Sequence, residues 1–103
     1  MQRPILLEKA IATLLGEPGH TAPSLRQSVF DRVRFGTGQV PEAWTPLVEK
    51  ISERPWSVND EDFTQLFAAG FSEDQIYELL LAAATGAGMR RVDAGLRAMA
   101  EAG

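Results

Sequence analysis

The chain contains no cysteine in 103 residues and only one histidine, His20. Without thiols it can form no disulfide, no thiolate nucleophile and no thiolate metal site. A lone histidine within the glycine- and proline-containing segment GEPGH supplies neither a metal-ligand set nor a Ser-His-Asp arrangement, and a surface-loop position is expected for it. No metal site and no cofactor are expected. Basic residues are not in excess: 10 Lys and Arg stand against 14 Asp and Glu, a formal net charge of -4. The arginines are spread among acids, which argues against a duplex-binding surface. Long hydrophobic runs are also missing. The longest apolar block in the last helix, residues 79–84, is far shorter than the roughly 20 residues that span a bilayer. Glu8 and Lys9 interrupt the apolar stretch after Arg3, so a secretory leader is not expected, and a cytoplasmic location fits. FGTG and TGAG lack the strand, spacing and lysine of a phosphate loop.

What remains reads as helix. Residues 1–103 are expected to form one all-helical domain of five or six helices, with no strong strand signal, internal repeat or low-complexity segment. Pro4 can open a first helix carrying Ile5, Leu6, Ile11, Leu14 and Leu15, ended by Gly16, Pro18 and Gly19. Ser24 is a candidate cap for a second helix whose inner face is Leu25, Val29, Phe30 and Val33, stopped by Gly36 and Gly38. Pro41 can open a third, with Trp44, Leu47, Val48 and Ile51 inward, unless Pro46 resets its start; it should stop before Pro55. Asn59 or Asp60 can cap a fourth helix bearing Phe63, Leu66 and Phe67, with acids at its positive end and Gly70 as its stop.

The segment FSEDQIYELLLAAATGAG opens the last helix with Ser72 as cap, Gln75 at the third position of a capping box, and Phe71 and Ile76 spaced as a hydrophobic staple. Ile76, Leu80, Ala83 and Ala87 form one stripe. Leu81, Thr85, Met89, Val92, Leu96 and Met99 form a second, rotated by about 100°. Two apolar faces predict a helix that is central or shared between subunits, so self-association is expected. Gly86 and Gly88 read as close-packing positions or a kink.

Residues 60–99, DEDFTQLFAAGFSEDQIYELLLAAATGAGMRRVDAGLRAM, resemble the carboxymuconolactone decarboxylase and alkyl hydroperoxidase D-like superfamily. There an active-site helix leads through an Ala-Gly-hydrophobic-Ser turn into a long alanine-rich helix, and Ala69, Gly70, Phe71 and Ser72 match that turn. The resemblance implies a compact multi-helix bundle and a homo-oligomer, commonly a trimer or hexamer. Peroxidase members carry a Cys-x-x-Cys pair and then a histidine. Counted back from Gly70, those positions hold Pro55, Val58 and Asp62, so thiol peroxidase and disulfide chemistry are excluded. The decarboxylase branch needs no cysteine and implies an alternative, a cofactor-free lyase or isomerase acting on a small carboxylated metabolite.

The candidate site residues follow from that alignment and from residue type. Asp62, with Asp60 and Glu61, either caps a helix and faces water or holds a proton for general acid–base work. Tyr77 is a second catalytic candidate. Trp56, Phe63 and Phe67 can line an apolar ligand pocket with Tyr77, or simply pack. Arg90 or Arg91 can hold a ligand carboxylate, or join an ion pair with Asp62 or Glu78, with Asp93 in the same network. An exposed patch around Trp44 and Trp56 would instead suit a partner-binding adaptor.

Overall fold

The computed structural model describes residue 11, residues 14–16 and residues 19–102. Ile11 and residues 14–16 are helical, and Ile11 and Leu15 are buried; the expectations at Pro4, Ile5 and Leu6 lie outside the described residues. Four α-helices follow: α1 Pro23–Phe35, α2 Thr45–Glu53, α3 Asp60–Ala68 and α4 Glu73–Ala102. Single 3-10 turns at Glu42–Trp44 and Pro55–Ser57 precede α2 and α3. No strand occurs among the described residues, and the bundle is all-α.

Local chemistry sets the boundaries. Pro23 occupies the start of α1, and its ring fixes the φ that a first helical residue needs. The cap is therefore Ala22, with no side-chain hydrogen bond, and Ser24 lies inside the helix rather than capping it. Gly36 closes α1 at φ 77°, where its N–H reaches the Arg32 carbonyl at 3.1 Å. Pro46 does reset the third helix: α2 begins at Thr45, and the chain from Pro41 enters through the 3-10 turn. Asn59 caps α3 in a full capping box with Asp62, and Gly70 at φ 98° turns the chain toward α4. The second predicted box is present: Ser72 N–H donates to Gln75 Oε1 at 2.9 Å, and Gln75 N–H donates to Ser72 Oγ at 3.2 Å.

The long helix α4 packs chiefly on α1 and also touches α2 and α3. Its core face is Ile76, Leu79, Ala82, Ala83, Gly86 and Met89; Leu80 and Ala87 are half-buried. Gly86 allows the closest approach, because a Cβ there would sit 2.7 Å from the Phe30 carbonyl oxygen and 3.2 Å from Val33 Cβ. Gly88 differs from expectation: it is exposed with nothing near it, and α4 continues unbroken to Ala102. Met89 also leaves the predicted second stripe and joins the core. Trp44 is fully buried and meets Phe71 edge to face, with centroids 5.9 Å apart at 87°.

Candidate functional site

Three carboxylates tie the helices together, and each has a distinct partner. Asp62 is buried at the start of α3. It accepts the Asn59 N–H at 2.9 Å and two contacts from Lys50 Nζ of α2 at 2.9 and 3.1 Å. The Asn59 N–H first, then Lys50, hold its carboxyl below the ordinary 3.8, against the opposing effect of burial. Such a group is an anion at neutral pH and is occupied by its partners. Asp60 and Glu61 beside it are exposed.

Glu78 of α4 anchors the chain just before α1. It accepts the backbone N–H groups of His20 and Thr21, at 2.6 and 3.0 Å, and the Thr21 hydroxyl at 2.7 Å. Arg26 Nη1 lies 4.0 Å away. The His20 N–H is the main cause of its lowered pKa. A Cβ at position 19 would come 2.7 Å from this carboxylate, so a larger residue there would displace the Glu78 side chain from its present position. His20 itself is an exposed loop residue, with Nε2 3.8 Å from Asp74.

Asp93 receives Arg34 in bidentate fashion, Nε at 2.9 Å and Nη2 at 3.0 Å, which lowers its pKa. The Arg34 guanidinium also lies 4.7 Å from the Phe35 ring centre and 5.7 Å from that of Phe30. Arg90 and Arg91 therefore pair with neither Asp62 nor Glu78, since α2 and the loop at 20–21 fill those places.

The sequence candidates scatter over the surface. Trp56 is 79% exposed and Tyr77 65%, Phe67 is exposed and Phe63 half-buried. The two tryptophans differ, since Trp44 is enclosed. Arg90 and Arg91 are exposed. Arg90 lines a half-open groove of about 530 Å³ between α1, α2 and α4, with Arg32, Arg34, Ser52, Glu49 and Glu53. Arg91 joins Arg90 and Ser52 in an adjoining hollow of about 260 Å³. Asp62 and Tyr77 are not among the residues lining this groove. Sequence reasoning missed Arg32, Arg34 and Lys50 as groove or network members, because their roles depend on which helices meet. No group of three His, Asp or Glu side chains that could hold a metal occurs among the described residues, and none of the described helices is long and apolar enough to cross a membrane.

The most unusual surface belongs to α4. Opposite its core face it shows Tyr77, Leu81 (37% exposed), Val92 (38%), Leu96 (38%) and Met99 (66%), interspersed with the exposed small residues Ala84, Gly88, Gly95 and Ala98. No family model matches this chain, and neither a curated protein nor a solved structure is detectably similar to it.

Proposed function

We propose that this chain is a self-associating helical module, a cysteine-free relative of the alkyl hydroperoxidase D-like superfamily that serves as a binding or structural unit. The observation that carries self-association is the outer face of α4. A surface helix normally shows water a polar face, whereas Tyr77, Leu81, Val92 and Met99 place apolar groups there. The kinship rests on residues 69–72, which join α3 to the alanine-rich α4 as the family turn does. Sedimentation velocity over a hundredfold concentration range tests the association. A mass rising above 11.2 kDa supports it, and a constant 11.2 kDa refutes it.

The second reading, a small carboxylated ligand and with it a cofactor-free lyase or isomerase, is favoured by the groove lined by Arg32 and Arg90, where Arg34 is already held by Asp93. Arginines present planar forks suited to a carboxylate. Asp62 does not supply a free base there, since Lys50 and Asn59 hold it. Calorimetric titration with succinate, compared between the wild type and Arg90→Ala, tests this reading. Heat lost in the variant supports it, and no heat in either protein refutes it for short dicarboxylates.

A further inference from the structure

We propose that the groove between α1, α2 and α4 binds an ω-amino acid, with its carboxylate on Arg32 and Arg90 and its ammonium on Glu49 and Glu53. This rests on the small carboxylated ligand proposed above and adds a positive end to that ligand.

The groove carries both signs of charge, and they come from different helices. α1 and α4 supply Arg32 and Arg90, and α2 supplies Glu49 and Glu53. The third arginine, Arg34, is already held by Asp93. Among the described residues, Arg32, Arg90, Glu49 and Glu53 have no ion-pair partner. Acids and bases thus line one space of about 530 Å³ without closing it by direct pairs. That volume falls within the about 300–1,000 Å³ of small-molecule pockets.

The acid side opposes folding by itself. Glu49 and Glu53 stand one helical turn apart, and like charges at that spacing repel. They also stand at the C-terminal end of α2, where the helix dipole favours cations. Neighbouring bases do not relieve them. Lys50 is engaged with Asp62, and Arg54 does not line the groove. α1 also ends at this groove, through Phe35 and Gly36. A ligand ammonium supplies the missing cation and three donors. Arg32 and Arg90 offer planar forks suited to a carboxylate. Because no acid and base of the groove pair directly, a ligand bridges them when its own charges are separated, as along an ω-amino acid. A dicarboxylate would set its second anion against Glu49 or Glu53.

Isothermal titration tests this with γ-aminobutyrate, δ-aminovalerate and ε-aminocaproate, beside valerate, pentylamine and succinate. The variants are Arg90→Gln and the double variant Glu49→Gln with Glu53→Gln. Arg90, Glu49 and Glu53 are exposed, and the double variant removes a like-charge repulsion, so folding is retained. The best of the three amino acids should bind the wild type at least about tenfold more tightly than valerate or pentylamine, as one added charge-assisted contact provides. The double variant should lose that preference and keep its affinity for valerate. Arg90→Gln should weaken both amino acid and valerate. Valerate or succinate binding as tightly as the amino acids overturns the positive end and leaves the carboxylated ligand standing. A preference for the amino acids that survives in the double variant overturns Glu49 and Glu53 as its source. Pentylamine binding as tightly as the amino acids, or no binding of any of the six compounds, overturns both.

Discussion

Thr21 donates its backbone N–H and its hydroxyl to the same carboxylate oxygen of Glu78, at 3.0 and 2.7 Å, across 57 residues of chain. This contact fixes the start of α1 to the first turns of α4. Replacing Thr21 by valine keeps the shape and removes one donor. It should lower stability by about 1 kcal/mol in urea denaturation. Glu78→Ala removes the acceptor for three donors at once and should cost more, about 1–3 kcal/mol.

Asp62, Glu78 and Asp93 define the acid limit of the fold. All three have folded pKa values below their ordinary 3.8, 4.5 and 3.8. The unfolded chain therefore binds protons more readily in acid. The stabilisation is complete above the ordinary values and is lost as pH falls through the lowered ones. Melting temperature should be flat near neutrality and fall below about pH 4.5. Asp62→Asn should lower it at pH 7 and make the acid fall shallower. An unchanged acid limb would show that Asp62, held by the Asn59 N–H and Lys50, contributes nothing to the pH dependence.

Gly86 and Gly88 are two residues apart on α4 and should respond to alanine in opposite directions. At Gly86 the new methyl meets the Phe30 carbonyl and Val33, forcing α1 away at a cost of about 1–3 kcal/mol. At Gly88 it meets nothing, and the better helix propensity should add up to about 1 kcal/mol. Chemical denaturation of both variants checks the pair.

The two tryptophans report separate environments. Acrylamide should quench Trp56 strongly and Trp44 weakly, so Trp56→Phe should remove most of the quenchable emission. Equal quenching in wild type and variant would contradict the burial of Trp44.

Features set by near neighbours in the chain were legible in the sequence. The Ser72–Gln75 box and the stop at Gly36 depend only on residues within one turn. The Asn59–Asp62 box had the same spacing, but three adjacent acids hid which one bonds back to Asn59. The second stripe of α4 was visible as apolar periodicity. Met89 left it because it stands three residues after Gly86 and seven after Ala82, which puts it on the core side of that stripe. The partners of Asp62, Glu78 and Asp93 were not legible. Lys50, Thr21 and Arg34 lie 12 to 59 residues away, and only helix packing brings them near.

Sedimentation equilibrium of the wild type beside Gly88→Arg tests the central claim most directly. The new side chain has open space in the single chain and lies in the middle of the proposed contact. The wild type should show a mass above 11.2 kDa that rises with concentration, while the variant stays folded at 11.2 kDa. Two identical monomer curves, or an oligomer that Gly88→Arg leaves intact, would contradict the outer face of α4 as the surface of association.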